Sequence, residues 1–168
     1  MLISGSDYAC NTLEQLTSNG IVAHLNCAPE LSNKLKGRDE NAKPLLMHLN
    51  IHYIVAHSLD QFDSFVKGAK FIEEAKKENG KVLVNCARGR SRSVAVVLFY
   101  FMFCEGKTLR DAYMMVKQAR PFAGPSRHLR PQLLACEMKI LGKQSFNLKD
   151  NWADQVAGAM RESQKKSE

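Results

Sequence analysis

The 168-residue sequence lacks most features that would assign it to a specialised class of protein. Its five cysteines are an odd number and form neither a Cys-x-x-Cys pair nor a Cys/His cluster at metal spacing, which favours a reducing compartment and no structural zinc. The N-terminus has no charged segment followed by an apolar stretch, so no signal peptide is predicted. The longest apolar run, residues 94–104, is too short to span a bilayer. We therefore expect a soluble, cytoplasmic protein.

Acidic residues are also in the minority. The 24 Lys and Arg residues exceed the 17 Asp and Glu residues and give a net charge of +7, which is typical of proteins that bind nucleic acid, anionic membranes or acidic substrates. No nucleic-acid-binding motif is present, and aromatic and basic residues are not interleaved. The excess of positive charge therefore favours an anionic substrate over a polynucleotide.

One stretch of the sequence, residues 81–105, joins three different patterns without a break. Residues 82–84 are apolar and mostly β-branched, which predicts a buried strand. Residues 94–103 are apolar almost all round, which predicts a buried helix. Between them lies a polar loop, Cys-Ala-Arg-Gly-Arg-Ser-Arg, at residues 86–92.

Such a loop is suited to holding an anion beside a thiol. A loop that enters a helix directs free backbone N–H groups and the positive end of the helix dipole at one point. Gly89 allows the backbone to curl so that these groups converge, and Arg92 can donate two hydrogen bonds to one oxyanion. The same field lowers the pKa of Cys86. A bound phosphate would therefore lie beside a nucleophilic thiolate.

Cys86, five further residues, Arg92 and then Ser93 resemble the signature of the cysteine-dependent protein tyrosine phosphatases. The context of residues 82–84 and 91–93 is similar to the dual-specificity branch, and further similarity spans roughly residues 1–141. The resemblance implies an α/β fold in which helices flank a central mixed β-sheet and the Cys-x5-Arg loop joins a strand to a helix. Residues 142–168 are predicted to be a polar extension, with a short helix that includes Trp152, Val156 and Met160 followed by disorder from Arg161.

The resemblance also implies a reaction. Cys86 would attack the phosphate monoester of phosphotyrosine, phosphoserine or phosphothreonine in a phosphoprotein and form a phosphocysteine, which water then hydrolyses. Arg92 would stabilise the phosphate oxygens, and Ser93 would help the sulfur to leave. The other substrate-binding residues expected from the loop are Ala87, Arg88, Gly89, Arg90 and Ser91. No metal or cofactor is implied, and the oligomeric state is not predicted.

Two positions depart from the family pattern. The family usually has His before the nucleophile, where this chain has Asn85. The family also uses an Asp as general acid at the end of the strand that precedes the helix predicted over residues 60–78, and no carboxylate occupies that position here. Asp60 is the candidate catalytic acid that we retain, with Asp63 and His57 as the others. The competing interpretation is that Asp60 is only the N-cap of the helix.

These departures leave other functions open. Without His and a placed Asp, the domain could be a pseudophosphatase that binds phosphate or phosphoproteins and turns over slowly or not at all. Two extra bases in the loop, Arg88 and Arg90, would also suit a more anionic substrate than a protein, such as a phosphoinositide or an RNA 5′ end.

The remaining patterns predict secondary structure around this stretch. His48, His52 and His57 are interpreted as solvated, because no Cys or carboxylate completes a metal site. The other predicted elements are an edge strand at residues 1–3 with a turn at 4–6, a helix capped by Asn11 or Thr12 and ending at Asn19-Gly20, a strand at 21–27, a surface loop at 30–44, a strand at 45–55, a helix from Thr108 to Arg120 and a helix that opens at Pro125-Ser126.

Overall fold

The computed structural model describes residues 2–6, 13–31, 45–53, 57, 59–149 and 151–165. The described strands are β1 (Leu2–Ser6), β2 (Ile21–Asn26), β3 (Leu45–His48) and β4 (Lys81–Cys86). The α-helices are α1 (Leu13–Ser18), α2 (Phe62–Lys77), α3 (Arg92–Glu105), α4 (Leu109–Ala119), α5 (Arg130–Leu141) and α6 (Trp152–Lys165), and a 3₁₀ helix spans Pro29–Leu31.

The four strands form one sheet in the order β1-β4-β2-β3. Every pairing among them is parallel, because neighbouring strands are joined by helices and long connections rather than by hairpins. The predicted α/β class is confirmed. The expectation of a mixed sheet is not met in the described part of the chain, which contains parallel pairs alone.

Strand β4 lies between β1 and β2 and is buried on both faces, as is usual for a central parallel strand. On one face, Val82 and Val84 belong to the main core, which includes much of α2 and α3. On the other face, Leu83 packs with residues of α1 and β2. Helix α3 is apolar all round because it contacts the sheet as well as α2, α4 and α5. Its first turn is therefore held rigidly beside the end of β4.

Several predicted boundaries are confirmed. Helix α1 is followed by the turn Asn19-Gly20, and Gly20 has a φ of +70°, a conformation that favours glycine at a helix end. Thr108 caps α4, accepting the N–H of Asp111 at 3.1 Å.

Other boundaries differ from the prediction. Strand β1 continues through Ser6 instead of turning at Ser4, because it pairs with β4 as far as Cys86. Strand β3 ends at His48 instead of reaching Val55, which lies outside the described residues, because its partner β2 ends at Asn26.

The last two helices also differ from the prediction. Helix α5 begins at Arg130 rather than after Ser126, and Pro131 lies in its first turn, where a missing N–H is tolerated. Helix α6 continues to Lys165, beyond the predicted start of disorder at Arg161.

Some expectations fall on residues that are not described. These are the cap at Asn11 or Thr12 and most of the predicted surface loop at 30–44, of which only residues 30 and 31 are described. Within the described residues, no helix combines the length and apolar character needed to cross a bilayer.

Candidate active site

The loop between β4 and α3 brings the sequence-predicted site residues together. Cys86 is the last residue of β4, and Arg92 is the first residue of α3. Gly89 lies between them with a φ of +60°, a left-handed conformation that strains any residue with a Cβ atom. Since β4 is central, the loop lies at the carboxyl edge of the sheet, where open α/β sheets place their ligands.

A second segment, residues 123–126, lies against the outside of this loop, and we call it the bracing segment. The N–H of Gly124 donates to the carbonyl oxygen of Arg90 at 2.9 Å. The N–H of Ser126 donates to the hydroxyl oxygen of Ser91, also at 2.9 Å. Ser91 occupies the N-cap position of α3 but makes no capping bond with its side chain. Its hydroxyl thus accepts a hydrogen bond from the bracing segment and does not cap the first N–H groups of α3.

Cys86 is 3% exposed, and its Sγ lies 3.3 Å from Oγ of Ser93. Burial alone raises the pKa of this thiol. Hydrogen bonds from the Ser93 hydroxyl and from the backbone N–H groups of Ser93, Ser91 and Arg90 outweigh burial, and the pKa of Cys86 is lowered from its ordinary value. Cys86 therefore combines a sheltered position with the donors that stabilise a thiolate.

Arg92 is 6% exposed and is held from two sides. Its Nη1 forms an ion pair with the carboxylate of Glu30, from the 3₁₀ helix after β2. Its guanidinium carbon lies 5.2 Å from the centre of the Tyr53 ring. Its Nε is buried and has no hydrogen-bond partner in the described part of the chain. A buried cationic donor without a partner is costly unless a ligand completes it, and an oxyanion would do so.

Two cavities meet at Tyr53. One, of about 270 Å³, opens over the loop that follows Cys86 and is lined by Tyr53, Cys86, Ala87, Arg88, Arg90 and Ser91. The other, of about 340 Å³, reaches Arg92 and is lined by Glu30, Asn50, Ile51, His52, Tyr53 and Arg92. The side chains of Arg88 and Arg90 are exposed. A ligand over Cys86 therefore meets backbone donors at the base of the cavity and cationic side chains at its rim.

Asn85, which replaces the expected His, is 1% exposed and is held by the neighbouring strand. Its side-chain oxygen accepts a hydrogen bond from Nε2 of His24 at 2.7 Å. Its carbonyl oxygen accepts the N–H of Cys27 at 2.8 Å. The residue before Cys86 is thus fixed at both its side chain and its backbone.

The candidate general acids lie apart from this cluster. Asp60 is exposed, and its carboxylate accepts the N–H of His57 at 2.8 Å. Asp63 is exposed in the first turn of α2. The three candidate acids, Asp60, Asp63 and His57, do not line either cavity. The interpretation of Asp60 as the helix N-cap is wrong, because Gln61 occupies that position. Among the described residues, no group of three or more His, Cys, Asp or Glu could hold a metal ion.

The sequence did not reveal the residues that contact the site but lie far from residues 86–93 in the chain. The sequence pattern predicts a surface loop at Glu30 and a strand at Tyr53, and neither prediction indicates a role in the site. Segment 52–53 is fixed by two buried glutamines: Gln61 bonds both the N–H and the carbonyl oxygen of His52, and Gln132 donates to the carbonyl oxygen of Tyr53. One signal was available for Glu30, since an Arg buried in a loop usually has a carboxylate partner.

The chain matches the family model for the dual specificity phosphatase catalytic domain over residues 2–139. The dual specificity protein phosphatase Mpk3 of Drosophila melanogaster is 35% identical over 140 residues, which are 83% of this chain and 33% of that protein. The chain thus spans about a third of this relative's length.

Solved structures are also similar. The structure of human DUSP28 is 28% identical with a TM-score of 0.70, covering 84% of this chain and 94% of that chain. A mouse putative dual specificity phosphatase complexed with zinc tungstate has the same identity and TM-score and covers 84% of each chain. With the Cys-x5-Arg loop between β4 and α3 and a family match over most of its length, the chain belongs to the dual specificity phosphatase catalytic-domain family.

Proposed function

We propose that this domain hydrolyses phosphate monoesters of phosphoproteins, on tyrosine as well as on serine or threonine, through a phosphocysteine on Cys86. The observation that carries the proposal is the position of Cys86, whose thiol lies at the base of a cavity and has a lowered pKa. The buried Nε of Arg92 supports it, because that donor has no hydrogen-bond partner among the described residues and a phosphate oxygen would satisfy it.

In the first step, the Cys86 thiolate attacks phosphorus in line. The S–P bond forms as the bond from phosphorus to the leaving oxygen breaks, and the leaving oxygen takes a proton. The backbone N–H groups of residues 87–92 and the Arg92 guanidinium stabilise the equatorial oxygens, since positioning and electrostatics supply most of the catalysis of phosphoryl transfer.

In the second step, water attacks the phosphocysteine and releases inorganic phosphate. The S–P bond breaks, and the sulfur leaves as a thiolate. The Ser93 hydroxyl, 3.3 Å from the sulfur, stabilises the departing thiolate by a hydrogen bond. Each of these roles is a proposal for this chain, and none needs a metal ion.

We propose Asp60 as the acid that protonates the leaving group. It is the carboxylate closest in sequence to segment 52–53, which borders both cavities. To act as the acid, its carboxyl group would have to break the hydrogen bond with the N–H of His57 and instead donate a proton to the leaving oxygen. Asp63 and His57 remain the other candidates.

We also propose a cytoplasmic location. A free reactive thiol is best preserved in a reducing compartment, where disulfides are rare. Cys27, Cys86, Cys104 and Cys136 are all free thiols. Imaging of the full-length protein with a fluorescent tag would test this, and enrichment in the secretory pathway would contradict it.

The test of the proposed function is hydrolysis of p-nitrophenyl phosphate by the wild-type protein and by Cys86→Ser. This substrate has a good leaving group and barely needs a general acid, so it tests the nucleophile and the loop alone. We expect turnover by the wild type, none by the variant, and competitive inhibition by tungstate, a tetrahedral oxyanion like phosphate. If the wild type binds tungstate but releases no p-nitrophenol, the domain is a phosphate-binding module and the proposal fails.

Substrate range is tested next, with peptides that carry phosphotyrosine, phosphothreonine or phosphoserine at one position in a common sequence. Release of phosphate from all three would support dual specificity. Activity on phosphotyrosine alone would narrow the proposal to a tyrosine phosphatase.

A further inference from the structure

We propose that the C-terminal extension, residues 142–165, is a positioning element of the active site, which holds the bracing segment and through it the loop of Cys86. The inference rests on the proposed function of that loop. The family match ends at residue 139, before the extension begins. The family model therefore says nothing about the role of these residues, and their contacts are the evidence for it.

The extension is part of the core. Trp152, the first residue of α6, is fully buried and stacks on Phe146 with a centroid distance of 4.5 Å. Its indole N–H donates to the carbonyl oxygen of Asn147 at 2.9 Å. One turn further, Val156 is 1% exposed. An aromatic side chain buried to this degree, with its one polar atom satisfied, fixes the docked position of the helix.

Polar contacts fix the same position. Glu137 is fully buried, and its carboxylate accepts the N–H of Leu109 and both the N–H and the hydroxyl of Ser145, at 2.7–2.8 Å. Arg110 donates to the carbonyl oxygen of Ser145 at 3.0 Å and to the side chain of Gln155 at 2.9 Å. Hydrogen bonds of this kind are directional, so the extension docks in one defined geometry.

Tyr113 is the first of two side chains that connect the extension to the bracing segment. Its ring contacts Trp152 and Phe146 edge-on, at centroid distances of 6.2 and 6.0 Å. Its hydroxyl lies against Gly124, where an added Cβ atom would be only 3.0 Å away. The aromatic cluster of the extension therefore sets how closely Gly124 can approach α4.

Arg130 is the second connecting side chain. Its guanidinium carbon lies 5.2 Å from the centre of the Trp152 ring, a cation–π contact. Its Nε donates to the carbonyl oxygen of Pro125 at 3.4 Å, which is long for a hydrogen bond. Trp152 thus supports the side chain that contacts the middle of the bracing segment.

The bracing segment bonds two of the loop residues whose backbone groups stabilise the sulfur. Gly124 holds the carbonyl oxygen of Arg90, and Ser126 holds the hydroxyl of Ser91. The backbone N–H groups of these same two loop residues are hydrogen-bonded to Cys86. A displaced extension would shift the bracing segment and with it these donors, and shifts of about 1 Å at an active site can cost up to about a hundredfold in rate.

A purely structural extension would behave differently. Its loss would lower the free energy of unfolding but leave each folded molecule with a normal thiol and normal affinity for phosphate. The two cases are separated by measurements per folded molecule, well below the unfolding transition. Suitable measurements are the pH dependence of Cys86 alkylation by iodoacetamide, the inhibition constant of inorganic phosphate, and kcat and KM for p-nitrophenyl phosphate.

The first variant is Trp152→Ala in the full chain, with Val156→Ala as its matched control, because Val156 is buried in the same helix. For Trp152→Ala we expect kcat/KM to fall by between about tenfold and a hundredfold, phosphate to bind more weakly, and the thiol of Cys86 to titrate at higher pH. For Val156→Ala we expect lower stability with all three quantities unchanged. Equal behaviour of the two variants would overturn the proposal.

A second pair of variants decides the question if Trp152→Ala does not fold. Gly124→Ala forces the bracing segment and the Tyr113 hydroxyl apart, so kcat/KM should fall. Adding Tyr113→Phe removes the obstructing oxygen and should recover most of the loss. Normal kinetics in Gly124→Ala, or no recovery in the double variant, would overturn the proposal. If the wild type itself shows no turnover, the proposed function fails separately, and alkylation and phosphate binding still test the role of the extension.

Discussion

The imidazole Nε2 of His24 donates to the side-chain oxygen of Asn85 at 2.7 Å, and each residue is only 1% exposed. The two residues lie on adjacent parallel strands, β2 and β4. Asn85 stands immediately before Cys86, at the position where the family resemblance predicts His. An imidazole is therefore present close to this position, but it comes from the next strand and bonds the side chain of Asn85.

This pair predicts the effect of Asn85→Ala. The substitution leaves Nε2 of His24 buried without its acceptor, so we expect the free energy of unfolding to fall by about 1–3 kcal/mol. Urea denaturation followed by circular dichroism measures it, and Asn50→Ala at an exposed site is the control. Combining Asn85→Ala with His24→Leu should cost less than the sum of the single changes. Additive losses would mean that the hydrogen bond contributes nothing.

The thiols are expected to differ in reactivity. Burial raises the pKa of Cys27 and Cys104 and raises that of Cys136 to about 12, whereas the pKa of Cys86 is lowered. Near neutral pH, Cys86 therefore has the largest thiolate fraction of the four, and iodoacetamide should label it first, with protection by inorganic phosphate. Peptide mass spectrometry identifies the labelled site. Earlier labelling of Cys136 would contradict the prediction.

The direction of the pH dependence is set by Ser93. Its hydroxyl stabilises the thiolate of Cys86, so Ser93→Ala should raise the pKa of that thiol. The pH at which the rate of alkylation increases should therefore be higher in the variant. Ser93→Thr retains the hydroxyl and serves as the control. An unchanged pH profile in Ser93→Ala would mean that the backbone donors alone hold the thiolate.

The ion pair of Glu30 with Arg92 leads to a prediction about orientation. Burial alone raises the pKa of Glu30, but the hydrogen bond and the charge of Arg92, together with a backbone hydrogen bond, outweigh it and lower that pKa. The pair is thus intact above the ordinary carboxyl range and is lost only as the pH falls through the lowered pKa. Glu30→Ala should reduce kcat/KM for an aryl phosphate by roughly tenfold, because Arg92 loses the partner that orients it.

Glu30→Gln is the matched variant, since it keeps an acceptor for Arg92 without the charge, and we expect it to lie between wild type and Glu30→Ala. The opposite result would be tighter binding of inorganic phosphate with unchanged kcat. It would show that Glu30 competes with substrate for Arg92 instead of positioning it.

The proposed acid is tested by the dependence on leaving group. If Asp60 protonates the leaving oxygen, Asp60→Asn should lower kcat for phenyl phosphate by about two to four orders of magnitude and leave p-nitrophenyl phosphate nearly unaffected. Asp63→Asn, at an exposed position in the first turn of α2, tests the other candidate carboxylate with the same two substrates. An equal, small effect of Asp60→Asn on both substrates would make Asp60 a turn residue that bonds His57.

The sequence alone predicts those parts of the site whose residues follow one another in the chain. A local sequence pattern predicts each of three consecutive features, which are the strand before Cys86, the turn at Gly89 and the helix from Arg92. The end of β3 at His48 could not be predicted, because it depends on where the partner strand β2 ends. The partners Glu30 and His24 could not be predicted either, because 62 residues separate Glu30 from Arg92 and 61 separate His24 from Asn85.

The central place of β4 in the sheet determines how the enzyme would fail when it is heated. Its backbone is hydrogen-bonded on both sides, to β1 and to β2. The amide protons that lead to Cys86 therefore belong to the group that exchanges with solvent only when the whole domain opens. We therefore expect no local unfolding to reach Cys86 through this strand, and the proposed activity should persist until cooperative melting removes the fold and the activity together.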